Sequence, residues 1–501
     1  MAPVIWFSEA ASNAKAACSN TASIVPACGE SSRSSCSAPL KVNCRTSLLR
    51  IKSILADSNR AVFFKGAVGS FIIKFVGAGL LFSSQVVLAR LCGAEQYGHY
   101  AYALSWLTIL SILAILGFDT SLLRFIPEYL VKSDWRRLRG VIRSSFLFST
   151  IAAISISIVG VLVVLALREK MPAAWIAPLC LMLAALPFYS VTVIRQAALR
   201  ACKHVVLAEL PESVLRPIII VLAALLFVRM RGALDAASAW LSQLLAIIIA
   251  SLFGALLFIS KMPSQARAAP TQYDNKLWFI TSTPMLLMSS MNIVLSQASM
   301  IILGFYRSSA EIAVFSAATR IVILATFILM AINSIAAPMI SELYYADKRE
   351  ELQSILVFSA KGIAVFTLFT SLLIALFGKS ILAFFGRDFG DGYIILLILL
   401  AGQTIKSLMG PASFLLNLTG YQNLTAKVMG IAVAVCIVLN LLLIPPLGAL
   451  GAALASGLTM ALWNVTLVVM DILVVRLDPS ILCLVRRMKP LPAAQKESGR
   501  V

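Results

Sequence analysis

The sequence predicts an all-α polytopic membrane protein, with twelve transmembrane helices in two parallel-repeat six-helix bundles around a central cavity. Three observations carry that expectation. The 501 residues are 60% hydrophobic and only 13% charged, against about 25% charged in a soluble domain, so too little polar surface exists to coat a globule in water. Apolar runs long enough to cross ~30 Å of hydrocarbon recur from Ala61 to about Val475. The hexapeptide GALDAA at Gly232–Ala237 returns as GALGAA at Gly448–Ala453, 216 positions later, each time just before a long apolar run.

Twelve spans follow in order, near 66–90, 97–118, 142–167, 174–198, 212–228, 236–260, 277–304, 311–338, 355–377, 391–414, 424–444 and 449–475. A membrane β-barrel needs segments of about ten residues that alternate apolar and polar. ISISIVGVLVVLAL (154–167) and LLAIIIASLFGALLFIS (244–260) are apolar on every face, so these spans are helices. The first span carries Gly66, Gly69, Gly77 and Gly79, which permit close helix contact. Pro187, Pro211, Pro217, Pro284, Pro338 and Pro411 interrupt or abut other spans, where kinks are tolerated if the freed carbonyls find partners.

The repeat sets the architecture. The same offset relates Glu95 to Glu311 and carries the start of the first span onto the start of the seventh. A unit of six crossings begins and ends on one side of the membrane, so the halves are parallel repeats about an axis along the membrane normal. Domain boundaries follow: an extension at 1–58, a first lobe at 59–262, a linker at 263–276 bracketed by Pro263 and Pro270, a second lobe at 277–477 and a tail at 478–501. The extension, rich in Ser, Ala and Cys and without periodicity, is expected to be disordered. Cys18, Cys28, Cys36 and Cys44 within it match no zinc spacing.

Lys and Arg concentrate in alternate loops, most densely in RFIPEYLVKSDWRRLRGVIR (124–143), and near both ends of the chain. By the positive-inside rule both termini are expected in the cytoplasm. The net charge of +20 is then a collar facing anionic lipid. No basic segment is interleaved with exposed aromatics, so nucleic acid is not an expected partner. His99 and His204 fall on opposite sides of the membrane, and FGKS (377–380) has Leu373 where a phosphate loop needs glycine. No catalytic constellation, metal site or cofactor is expected.

Two segments carry a family resemblance. RLCGAEQYGHYAYALSWLTILSILAILGFDTSLLRFIPEY (90–129), through Gly93, Glu95, Tyr97, Gly98, Tyr100, Gly117 and Arg124, resembles the opening of the polysaccharide transporter family. FLLNLTGYQNLTAKVMGIAVAVCIVLNLLLIPPLGALGAALASGLTMALWN (414–464) resembles its C-terminal stretch. That family belongs to the multidrug/oligosaccharidyl-lipid/polysaccharide exporter superfamily. The resemblance implies a non-enzymatic flippase of the bacterial plasma membrane that moves undecaprenyl-pyrophosphate-linked repeat units, as in O-antigen or exopolysaccharide assembly, by alternating access. Its implied partners are the lipid-linked oligosaccharide, membrane lipids and, as a candidate, a polysaccharide polymerase. Two alternatives stand beside it: a cation-coupled multidrug exporter of the same superfamily, and a non-transporting scaffold of a polysaccharide-assembly complex. Against the exporter, no Asp or Glu lies between Lys65 and Arg90 in the first span.

Charges left inside the spans are the candidate substrate-binding residues, because an ionised group at the bilayer centre costs ~2.5–3.5 kcal/mol on the insertion scale. Lys74 lies nine residues past Lys65, ~13 Å along a helix, and Arg320 lies nine past Glu311 from the opposite side. Lys406 and Lys361 fall in the halves of spans ten and nine expected to face the cytoplasm, with Arg124 and Arg195 near that mouth. No acid within these spans stands near them in sequence. A cleft of unpaired bases suits a pyrophosphate head group, which Arg engages bidentately. The repeat partners of Lys74 and Arg320 are Ser290 and Leu104, so neither charge is demanded by the shared fold.

Overall fold

The computed structural model describes residues 58–346 and 348–481, and every regular element among them is helical. The expected extension, Ser58 apart, its four cysteines and most of the expected tail lie outside the described residues. Helix α1 spans Ser58–Ile115 and is broken at Gly93, whose φ of 74° and ψ of 169° suit glycine and little else. The first two crossings therefore meet at a single-residue turn. Gly117, with φ 75°, turns the chain into α2, Phe118–Val131. The sequence predicts the second span to end at 118; apolar residues at Phe118, Leu122, Phe125, Ile126 and Tyr129 instead bury one face of a helix that prolongs the crossing.

Helix α3 spans Trp135–Ala166, capped where Asp134 accepts a hydrogen bond from the Arg137 amide at 3.1 Å. Helix α4 covers Ala173–Ala201. Helix α5, Val205–Leu210, runs through a π-helical turn at Pro211–Leu215 into α6, Arg216–Arg231. The fifth crossing thus begins near residue 205 rather than 212, since Pro211 and Pro217 widen the helix without ending it. Helix α7 spans Ala236–Lys261 and the short α8 Ser264–Ala268.

The second half repeats the order. It comprises α9 (Asn275–Tyr306), α10 (Ser309–Leu324), α11 (Phe327–Tyr345), α12 (Arg349–Ala383), a 3-10 turn (Arg387–Gly392) and α13 (Tyr393–Leu408). Helices α14 (Ala412–Leu418), α15 (Gln422–Leu447) and α16 (Ala449–Met470) complete it. Among the described residues ten helices are long and apolar enough to cross a membrane. The first of them bends at Gly93 into two crossings, and α10 with α11 supplies another, which agrees with twelve.

Helix neighbours match between the halves. In the first, α3 packs on α4, α4 on α7, α6 on α7 and α2 on α4; in the second, α12 packs on α13, α13 on α16, α15 on α16 and α10 on α13. One packing plan written twice is the structural meaning of the repeat. The hexapeptides mark its corresponding corners. Gly232 and Gly448 both take positive φ, 79° and 59°, and release the chain into the last helix of each half. The start of α7 is held by Gln96, which accepts from the Ala236 amide at 3.1 Å, and by Asp235, which accepts from the Ser238 amide at 3.1 Å. The start of α16 is held by Glu311, which accepts from the Ala449 amide at 2.9 Å. Each half therefore ties its last helix to the head of its second crossing. The one differing letter has a steric cause: a Cβ at Gly451 would collide with the Leu443 carbonyl, so aspartate has no room there.

The halves touch at both ends of α1's second limb. Towards α2, Ser282 donates to Ser121 at 2.8 Å and the Trp278 indole to Tyr129 at 3.0 Å. Near Gly93, the Arg90 guanidinium donates to the Phe384 carbonyl at 2.6 Å, and Tyr97 meets Phe389 edge-on at 6.0 Å. Gly98 lies against the Ser309 carbonyl so closely that a Cβ has no space. The stretch expected as a linker is laid along the start of α3, where the Gln272 amide donates to the Arg136 carbonyl at 3.2 Å.

Candidate functional site

Two adjoining cavities lie in the second half, and the smaller of them also reaches the first. One, of about 220 Å³, is bounded by Leu104, Ser105 and Thr108 of α1, by Ser296 and Gln297 of α9, and by Thr319 and Arg320 of α10. The other, of about 350 Å³, runs between α9, α10, α13 and α16 and holds Lys406 with Asn292, Gln403, Ser456, Thr459 and Trp463. Ser296, Phe315, Thr319 and Ile323 line both, so the two bases face one continuous region. Neither wall includes an acid.

Local structure explains both positions. Arg320 sits one turn before α10 ends at Leu324. Its Nε is buried without a hydrogen-bond partner, and among the described residues it makes no ion pair. Lys406 is in the last turn of α13, where the helix dipole favours a cation. Hydroxyl and amide groups dominate the polar lining, so the region offers fixed positive charge beside neutral hydrogen-bonding groups. Such a surface suits an anionic head group joined to a hydroxyl-rich one.

Lys74 and Arg195 belong to a different cluster, and here the sequence reading needs correction. No acid stands near them along the chain, yet the fold brings two from another segment. Glu209 Oε1 lies 3.9 Å from Lys74 Nζ and 2.7 Å from Arg200 Nη2. Glu212 lies 4.0 Å from Arg195 and 3.0 Å from Arg216. Arg195 is 1% exposed, wedged against Gly254, where any Cβ would strike its guanidinium. The Arg216 guanidinium also rests 5.6 Å from the Tyr189 ring centre. Glu209 sits at the end of α5 and Glu212 in the π turn that follows it, and Gly77 of α1 closes directly on Ser213 within that turn. Four bases thus surround two acids, an ion network with surplus positive charge rather than a row of bare cations.

Glu209, Glu212, Arg200 and Arg216 were absent from the sequence candidates. A signal existed: positions 209, 212 and 216 fall at helical spacing on one face. Placing the start of the fifth span at 212 left that face unread. Arg124 and Lys361 join neither cluster. Both are exposed, Arg124 rests 5.8 Å from the Phe125 ring centre, and neither lines any of the cavities described. Between the clusters stands Tyr100, fully buried, which accepts a hydrogen bond from Gln85 at 3.4 Å and donates to Gln243 at 3.2 Å.

Comparison with known proteins follows the same lines. The model of a family described as polysaccharide biosynthesis protein matches residues 63–344. The chain is similar to a probable flippase, AglR, of Haloferax volcanii, with 29% identity over 171 residues, covering 33% of this chain. The chain spans only 35% of the length of that relative. Among solved structures, it is similar to an inward-facing conformation of a multidrug resistance MATE family transporter of the MOP superfamily. The TM-score is 0.67 at 16% identity, over 80% of this chain and 96% of the other. The inward closed conformation of lipid II flippase MurJ gives a TM-score of 0.60 at 16% identity, over 79% and 86%. At these identities the likeness speaks for the fold.

Proposed function

The chain belongs to the polysaccharide biosynthesis protein family, and from that premise we propose that it is a flippase. Its substrate on this reading is an undecaprenyl-pyrophosphate-linked oligosaccharide repeat unit, moved across a bacterial plasma membrane by alternating access. The observation that carries the proposal is the acid-free region of two adjoining cavities, Arg320 lining the one at the junction of the halves and Lys406 the one beside it in the second half. A pyrophosphate presents several anionic oxygens, which a guanidinium can grip in pairs and an ammonium can neutralise as a point charge. Cavities of about 220 and 350 Å³ suit the head group and its first sugar, with Ser, Thr and Gln side chains to take the hydroxyls. The remaining sugars and the polyprenyl tail lie outside them.

Movement follows from the packing. The lobes, 59–262 and 277–477 with 263–276 between them, rock about the shared axis. The contacts near Gly93, Arg90 to Phe384 and Tyr97 to Phe389, part to release the substrate on that side. On this reading both termini are cytoplasmic, and a polysaccharide polymerase is the natural recipient of the product.

A cation-coupled exporter is the second reading, favoured by the buried carboxylates Glu209 and Glu212, 8% and 12% exposed. Each is engaged by two bases, so neither is free to hold a coupling ion without displacing one. The flippase accounts for both clusters. In a strain lacking the chromosomal copy, Arg320→Ala is expected to abolish surface polysaccharide while the protein reaches the membrane, and Arg320→Lys to restore part. Normal polysaccharide in a well-expressed Arg320→Ala/Lys406→Ala variant would overturn the proposal, as would a change in drug tolerance alone.

A further inference from the structure

A groove of about 760 Å³ opens between the start of α3, the end of α7 and the segment joining the halves, and it shares no residue with the cavities above. Arg139, Arg143 and Arg267 line it together with Tyr273, and no acid does. Arg139 and Arg143 are one helical turn apart on α3, and the next turns present Phe146, Leu147 and Thr150. Charge therefore sits at the helix end and apolar surface deeper along the same face. Phe258 of α7 closes the far wall, its ring 5.8 Å from that of Phe146.

Two of the arginines are held, and neither is neutralised. Arg139 donates to the Ala269 carbonyl, and Arg267 donates to the Met262 carbonyl at 2.9 and 3.1 Å. These neutral acceptors fix the guanidinium planes and leave their charge intact. Arg143 is exposed and makes no hydrogen bond or ion pair among the described residues. Below them the outward faces stay bare: Leu147 is 57% exposed and Ile151 52% on α3, and Leu256 68% and Ile259 57% on α7. Three cations, two of them held in place by carbonyls, at the end of two apolar ridges match a lipid with a negative head and two chains.

We propose that this groove is a binding site for an anionic phospholipid, its phosphate held among Arg139, Arg143 and Arg267 and its acyl chains lying along α3 and α7. The bound lipid bridges α3, α7 and the segment that joins the halves, so it steadies that junction independently of the transported substrate.

The test uses the full-length protein in mild detergent, delipidated and then titrated with phosphatidylglycerol, phosphatidylcholine or a polyprenyl phosphate, with native mass spectrometry and thermal melting as readouts. The wild type is expected to retain phosphatidylglycerol and melt higher with it, and not with phosphatidylcholine. At a typical worth per basic residue near anionic lipid, Arg143→Gln weakens the apparent affinity about fivefold and Arg139→Gln/Arg143→Gln about thirtyfold. Arg143 makes no contact that the fold needs, so its single variant keeps the test valid if the double variant misfolds. Equal retention of the two phospholipids, unchanged affinity in Arg143→Gln, or preferential occupancy by polyprenyl phosphate overturns the proposal.

Discussion

Glu212 is the acid on which the buried network depends, and replacing it with glutamine removes the charge while keeping the shape. Its carboxylate lies 4.0 Å from Arg195 and 3.0 Å from Arg216, with Arg195 1% and Glu212 12% exposed. At an effective dielectric near 20, the 4.0 Å pair alone has a Coulomb energy of about 4 kcal/mol. Removing one partner of a buried pair costs ~3–5 kcal/mol, since the other charge is left uncompensated. Arg195 has no route to water, because Gly254 closes on its guanidinium. Glu212→Gln is therefore expected to lose about 3–5 kcal/mol. Denaturant unfolding in micelles, followed by tryptophan fluorescence, measures it. Arg195→Met/Glu212→Gln removes both charges and should lose less than the sum of the single variants, with a coupling of at least about 2 kcal/mol. A Glu212→Gln protein within about 0.5 kcal/mol of wild type, or strict additivity in the cycle, refutes the network's role.

Other outcomes are open to direct measurement. Cysteine at Ser133 should resist a membrane-impermeant thiol reagent in intact cells while cysteine at Ser308 reacts; the reverse inverts the proposed orientation. Asp235→Ala should cost about 1 kcal/mol, as loss of an N-cap does. Burial works to raise the Asp235 carboxyl, but hydrogen bonds from the Ser238 hydroxyl and amide outweigh it and hold the group below its ordinary value. That contribution is present above the unfolded value near 3.9 and lost as pH falls through the lower folded value, so the deficit of Asp235→Ala shrinks in acid. Gly98→Ala forces a Cβ against the Ser309 carbonyl and should part the halves at that end. Faster labelling of Ser308→Cys in the Gly98→Ala background is the expected sign, and an unchanged rate in a well-folded protein counts against it.

Much of the fold was legible because the bilayer restricts the choices. Without water to satisfy backbone groups, apolar runs become helices, and an even number of crossings per repeat fixes parallel halves. What stayed hidden depends on irregular backbone. The break at Gly93 looked like an ordinary loop because one residue with positive φ does the work of several. The helix over Phe118–Val131 was obscured by the bases at Arg124 and Lys132, although its buried residues recur at helical spacing. Arg320 could be found from sequence because its depth is a simple count from Glu311. Its neighbour Lys406 could be named, yet their shared walls follow from packing between α10 and α13, which linear spacing does not encode.

The ion network was hidden for a more instructive reason. Reading a lone intramembrane base as functional assumes that its partner, if any, lies on the same helix. Lys74 and Arg195 find theirs on another segment, Glu209 just before the π turn at Pro211–Leu215 and Glu212 within it. The same default then yields opposite results in the two halves. In the first, bases and acids neutralise one another and lock α1, α4 and α5 to α6 together. In the second, Arg320 and Lys406 face cavities with no acid on their walls. A base with an internal partner has little attraction left for a ligand, whereas one without it retains its full demand for an anion. The repeat makes this contrast interpretable, since both halves share one packing plan and differ in where charge is left unmet. On the proposed function, this contrast assigns the grip on the substrate to the second half and a rigid body for it to move against to the first.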